Sequence, residues 1–307
     1  MTEGKRFRPS TLIGHVIEKI PDRGRIKFGQ MCEGFLKVDK DSITNLARTT
    51  LHANEGYKVI LLPNHESFFD GIVVARISRE IVTHSSMKGF DIVVASTMID
   101  GKQGEGTDRS VRFFNPYMRD SGIKKDIPTV RKKDEHLYKP EEIVEINTQA
   151  KIALTDPNPQ TGIIAFMEGV MEGGRPLQDG SGRIKGLQEV IDMGMNTVIA
   201  NFLRQGTRFV ILNVGIDGSY QLSNPTTKIP PLDAVVDVFR SRKHYSVQVA
   251  MNEPATDEML IAQLFGATYK DRRSVAIQMI RNPLVFTNAM MKNIANLLPE
   301  HSRGFYR

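Results

Sequence analysis

His65 and Asp70, within Leu61-Leu-Pro-Asn-His-Glu-Ser-Phe-Phe-Asp-Gly71, are residues whose types and spacing could make a general base. An imidazole changes protonation near neutral pH, and a carboxylate that accepts its Nδ1 proton leaves Nε2 to take a proton from a substrate. The five-residue interval limits how they can meet. Within one helix it would set them well over a quarter-turn apart, so they pair only if His65 precedes the helix and the chain folds back. The flanks suit that arrangement. Tyr57-Lys-Val-Ile-Leu-Leu62 reads as a buried strand, Pro63-Asn64 stops it, and Phe68, Phe69, Ile72, Val73 and Ile77 recur at helical spacing. His65 then falls at a strand-to-helix junction, where the positive end of the helix dipole works against imidazolium. The plainer use of polar residues at such a junction is to cap the helix.

Two further groups of residues could hold an anion. Thr161-Gly-Ile-Ile-Ala-Phe-Met is an apolar strand that ends at Glu168-Gly169, and Glu172-Gly173-Gly174-Arg175-Pro176 follows. Glycines let the main chain approach an anion, a guanidinium pairs with phosphate through two bonds, and a carboxylate accepts from a free hydroxyl. Gly180-Ser-Gly-Arg-Ile-Lys-Gly186, with Arg183, continues this basic, glycine-bearing region. Upstream, the short strand Ile127-Pro-Thr-Val130 leads into Arg131-Lys132-Lys133-Asp134, which on its own reads as a solvated basic turn. Other chemistries find less support. No G-x-S-x-G elbow supplies a nucleophile for His65, and Ser219 in Gly218-Ser219-Tyr220 is a poor substitute. His52, His65 and His84 lack metal-ligand spacing, and the polar loop over residues 100–108 lacks a G-x-x-x-x-G-K-[ST].

Asn64-His65-Glu66-Ser67-Phe68-Phe69-Asp70 resembles the N-H-x-x-x-x-D signature of the glycerolipid acyltransferases, which move a fatty acyl chain from coenzyme A or acyl carrier protein onto glycerol 3-phosphate or its lyso derivative. Residues 122–131 are similar to that family's G-x-x-F-I-x-R motif, with a longer spacing interrupted by Pro128. The third motif, F-x-E-G-G/T-R, is resembled in two pieces. Either Glu168-Gly169 is the element, or the stretch from Glu172 to Arg175 is, displaced by an insertion; the strand before Glu168 favours it for the glutamate and Arg175 for the guanidinium. Of the fourth motif, V-P-I-x-P-V and then tyrosine, only Val214, Ile216 and Tyr220 have counterparts.

The resemblance implies His65 as base and Asp70 as its orienting carboxylate. It implies Asn64, Arg131, Lys133, Glu168, Gly169, Gly173, Gly174, Arg175 and Arg183 as substrate-binding residues. The acceptor would be glycerol 3-phosphate or lysophosphatidate, the co-substrate acyl-CoA or acyl carrier protein, with no cofactor and no metal. The acceptor hydroxyl, deprotonated by His65, would attack the thioester in one step, with main-chain N–H groups receiving the oxyanion. The competing expectation keeps the fold without catalysis, as an anionic lipid- or nucleotide-binding protein.

These residues must be positioned by the elements around them. Residues 1–53 read as a helical lead-in: Leu12, Ile13, Val16, Ile17 and Ile20 share one face, and Ser42-Ile-Thr-Asn-Leu-Ala47 starts a second helix. Residues 54–258 alternate apolar strands with helices. They include a strand at Gly89-Phe-Asp-Ile-Val-Val-Ala95, a helix over 141–154 ended by Pro157 and Pro159, and strands over 208–216 and 243–251. Residues 259–307 read as helical, rich in methionine and basic residues, and packed on the catalytic domain. Such alternation predicts an α/β fold. The resemblance makes it a mixed central sheet flanked by helices, of the acyltransferase type, with helical N- and C-terminal extensions.

The 307 residues, 40% of them hydrophobic, suffice for a sizeable core. Apolar runs such as Gly162-Ile-Ile-Ala-Phe-Met167 fall short of the roughly 20 residues of a membrane span, and the N-terminal stretch lacks the apolar centre of a secretory signal. A single cysteine, Cys32, fits a reducing cytoplasm. The formal charge of +6 is concentrated at the ends: residues 270–307 carry 7 − 2 = +5 and residues 1–30 carry 7 − 3 = +4. Basic ends suit anionic lipid, an acidic carrier or nucleic acid. The motifs favour the first two, and the basic stretches lack the aromatic interleaving of a single-strand binder, so no nucleic acid is expected. The expectation is a cytoplasmic protein with peripheral contact at a membrane surface. Its C-terminal helices either lie there with Lys and Arg stems snorkelling or dock as an ordinary pair.

Overall fold

The strand that leads to His65 is central to the molecule. A computed structural model describes residues 19–67, 69–100, 105–166, 194–219, 246–266, 271–303 and 306. Its strands are β1 (Leu36–Val38), β2 (Lys58–Pro63), β3 (Gly89–Ala95), β4 (Ile123–Thr129), β5 (Thr161–Ile164), β6 (Phe209–Asp217), β7 (Val247–Met251) and β8 (Ala255–Thr256). They form one mixed sheet in the order β1-β7-β6-β2-β5-β3-β4, with β8 against β6. β2 runs parallel to β5 and β6, β3 to β4 and β5, and β1 to β7, whereas β7 and β8 are antiparallel to β6. All six residues of β2 are buried. A strand covered on both faces needs a continuous apolar run, and Val59 and Leu61 pack into one core while Ile60 and Leu62 pack into the other.

The helices are α1 (Asp22–Cys32), α2 (Lys40–Asn54), α3 (Asp70–Thr83), α4 (Ser96–Ile99), α5 (Glu105–Asp120), α6 (Pro140–Leu154), α7 (Gly194–Gln205), α8 (Asp257–Phe265), α9 (Arg272–Arg281) and α10 (Pro283–Leu297). One face of the sheet is covered by side chains such as Val73 and Ile77 of α3 and Tyr117 of α5. The other is covered by Phe202 of α7 and by Met290 and Ile294 of α10. The fold is thus α/β, a mixed sheet flanked by helices at both faces, with helical segments at either end of the described chain. Among the described residues, no helix is long and apolar enough to cross a membrane.

Several elements differ from the sequence expectation. The lead-in contains a strand as well as helices, because three residues, Leu36–Val38, add to the open side of β7; so short a segment shows no period. A helix, α5, occupies residues 105–120, so the loop expected over 100–108 extends at most to residue 104. Its Gly106 and Pro116 argue against a helix, yet Phe113 and Tyr117 are buried on one stripe. The Tyr117 hydroxyl donates to Glu33, which also takes both of its ion-pair contacts from Arg79. β4 begins at Ile123 rather than Ile127, and its Pro128 is tolerated because β4 is an edge strand. α8 starts at Asp257, capped by the Thr256 hydroxyl, so a helix crosses the boundary expected at 258. The amphipathic face from Leu12 to Ile17 and the start of the strand expected at 243 lie outside the described residues.

β2, β3, β4 and β5 all run the same way, and the residues that follow them, His65, Ser96, Arg131 and Phe166, come out at one edge of the sheet. Ligands of open α/β sheets bind at this carboxyl edge.

Candidate active site

Asp70 is the first residue of α3, and its carboxylate is turned back over the turn that precedes the helix. Oδ2 lies 2.9 Å from His65 Nδ1 and accepts the main-chain N–H groups of Glu66 at 2.7 Å and Ser67 at 2.8 Å. This is the fold-back that the five-residue spacing requires. A carboxylate that receives two main-chain hydrogens is an acceptor, so the neutral imidazole carries its hydrogen on Nδ1 and Nε2 is the basic nitrogen. Asp70 is fully buried, while the His65 side chain keeps 21% of its surface exposed. The Phe166 ring, just past β5, lies 4.4 Å from the imidazole and tilted by 37°.

A second layer holds the first. Ser219, just past β6, places Oγ 2.5 Å from Asp70 Oδ1 and 3.3 Å from Glu66 Oε2, and its N–H donates to the same Glu66 oxygen at 3.0 Å. Ser67 Oγ donates to the Ser219 carbonyl at 3.1 Å and accepts the N–H of Phe69. A hydroxyl has one hydrogen, and the shorter contact, to the Asp70 carboxylate, takes it in preference to Glu66. Burial pushes the Glu66 carboxyl up to about 9, the charges of Asp70 and Asp217 add to the rise, and the Ser219 bonds only partly oppose it.

The sign of the pH effect follows. Folded Glu66 holds its proton up to about pH 9, whereas the unfolded chain releases it near 4.5, so the folded state binds more protons in that window and stability falls as pH rises through it. Glu66→Gln keeps a neutral polar group of the same shape. Urea melts across the window should show the variant gaining on the natural protein by up to ~1.4 kcal/mol per pH unit. A difference that does not move with pH would mean that Glu66 is ionised in the folded protein.

A cavity of about 410 Å³ opens beside His65. Val94, Val130, Leu154 and Val198 give it apolar walls, and Arg131 and Lys151 bring positive charge to it. Arg131 follows β4, and its Nε donates to Asp134 at 2.6 Å, which orients the guanidinium. Asn147 of α6 accepts the N–H of Val130, tying that helix to the end of β4.

Of the residues picked out from sequence, His65, Asp70 and Arg131 come together here. Asn64 does not join them as a ligand-binding group. Its amide is fully buried, donates to the Ile216 carbonyl at 2.9 Å and accepts the Ile216 N–H at 2.7 Å. It continues the β2–β6 pairing by one side chain and so fixes the direction in which the chain leaves for His65. The side chain of Lys133, and Glu168, Gly169, Gly173, Gly174, Arg175, Arg183 and the alternative Glu172, lie outside the described residues. Sequence reasoning gave Glu66, Ser67, Phe166 and Lys151 no role and set Ser219 aside. Ser219 is no nucleophile: it is fully buried and bonded to Asp70. Lys151 left a sequence trace, since Asn147, Lys151 and Leu154 share one helical face.

Among the described residues, no group of three or more His, Cys, Asp or Glu side chains is placed to hold a metal ion. Compared with known protein families and with curated proteins, the chain matches no family model and no curated sequence.

Proposed function

We propose that the protein is an acyltransferase that moves a fatty acyl group from the thioester of coenzyme A or acyl carrier protein to a hydroxyl of glycerol 3-phosphate or lysophosphatidate. The observation that carries this reading is the His65–Asp70 pair opening on the cavity that Arg131 also lines. A base, an anion-binding cation and apolar walls meet in one space. The Nε2 atom of His65 takes the acceptor's hydroxyl proton as the oxygen attacks the thioester carbonyl. The C–S bond then breaks, the ester C–O bond remains, and the proton passes from Nε2 to the departing thiolate. Asp70, buried and within hydrogen-bond distance of Nδ1, holds the imidazole in one tautomer and offsets its transient positive charge.

The test is thiol release from acyl-CoA. It should depend on adding a glycerophosphate acceptor, and release that ignores the acceptor, or none with any acceptor of a panel, would remove the proposal. Arg131→Ala is expected to raise KM for the phosphate-bearing acceptor by about tenfold with little change in kcat, because a charge-assisted contact to a non-reacting group is lost. With glycerol as acceptor the same substitution should have no such effect.

A further inference from the structure

The outer surface of α9 and α10 carries four exposed apolar side chains within nine residues. Ile277, Ile280, Leu284 and Val285 are 49%, 50%, 47% and 39% exposed. They follow one another at short intervals across the break between the two helices, so they form a patch rather than scattered single residues. The inner faces of the same helices, with Val275, Met279, Phe286 and Met290, are covered, whereas the outer apolar residues keep about half of their surface open to solvent.

From residue 272 to residue 297 there are four cations, Arg272, Arg273, Arg281 and Lys292, and no aspartate or glutamate, while Asp271 caps the start of α9 and Glu300 follows α10. Arg272 is engaged with Asp257. Arg273, Arg281 and Lys292 are exposed. The patch also has a definite place relative to the site. α9 starts near the Thr207 carbonyl, before β6 begins, and ends where the Asn196 amide donates to the Met279 carbonyl at 2.9 Å. Gly194 and Met195, immediately before Asn196, line the cavity beside His65.

We infer that the Ile277–Val285 surface docks on a bilayer that carries anionic headgroups, and that it sets the mouth of the His65 cavity at the lipid boundary. Large apolar side chains enter the headgroup region while flanking arginines and lysine meet the lipid phosphates, and the lack of carboxylates along the two helices limits repulsion there. The docking does not depend on acyl transfer, and its test reads binding alone.

The full chain is mixed with vesicles of phosphatidylglycerol and phosphatidylcholine, or of phosphatidylcholine alone, and sedimented. The protein should bind the anionic vesicles and lose binding as salt is raised. Ile280→Ser with Leu284→Ser, and separately Arg281→Glu, should each weaken that partition by about tenfold or more while the melting temperature stays unchanged, since all three side chains face water. His65→Ala should bind like the natural protein. Equal binding by the patch variants, no binding by the natural protein, or a dimer of the natural protein that the Ile280→Ser, Leu284→Ser variant makes monomeric would each overturn the inference.

Discussion

Replacing His65 by alanine is expected to lower acceptor-dependent thiol release from acyl-CoA by about 10³-fold or more, within the range that a positioned general base contributes. The side chain is partly exposed, and its loss removes the bond to Asp70 and the contact with Phe166 while leaving the strands in place. Asp70 keeps its bonds from Glu66, Ser67 and Ser219. The variant should therefore fold, melt within a few degrees of the natural protein and still bind the acceptor. Undiminished turnover in a well-folded His65→Ala protein would leave the proposed reaction without its base.

Asp70→Asn should fail in two ways at once. The carboxylate accepts from four groups, and an amide that presents hydrogens where the Glu66 and Ser67 N–H groups point must either turn away or leave them unpaired. One buried unsatisfied group costs ~1–3 kcal/mol, and a loss of roughly 2–4 kcal/mol in urea unfolding is expected for the set. The activity should fall by about 10³–10⁴-fold, because the imidazole loses the acceptor that selects its tautomer. Ser219→Ala separates the two effects. It removes the Oδ1 partner and the longer Oγ contacts with Glu66 and Ser67 but leaves the bonds to Oδ2, so a stability loss with most of the turnover retained is expected there, and a collapse of turnover equal to that of Asp70→Asn would instead make Ser219 part of the proton path.

What was legible in the sequence was local. The apolar run of β2, the stop at Pro63-Asn64 and the periodic face of α3 predicted a strand-to-helix junction, and the five-residue interval required a fold-back that the Asp70 carboxylate makes. The partners of that carboxylate were not legible, because Ser219 stands 149 residues further along and no spacing rule links a serine in one loop to an aspartate in another. The bond of Asn64 was illegible for the same reason: the resemblance implied a substrate-binding group, while its amide pairs with Ile216, 152 residues away. α5 was obscured by its own composition, since Gly106, Pro116 and its charges hide a stripe whose anchoring residues, Phe113 and Tyr117, are visible only once buried. The three residues of β1 became a strand only because β7 offered an unpaired side.

The stitch between the Asp70 loop and the end of β6 bears on how the protein is made. A nascent chain carries the Asn64-to-Asp70 stretch from early in its synthesis, yet the serine that occupies Oδ1 leaves the ribosome only after β3, β4, β5, β6 and the helices between them. Closing a loop of that length comes late in folding, after local helices and neighbouring strands have formed. A half-made chain would hold a histidine and an aspartate close in sequence with no fixed geometry between them, and chemical competence would arrive only when β6 docks beside β2.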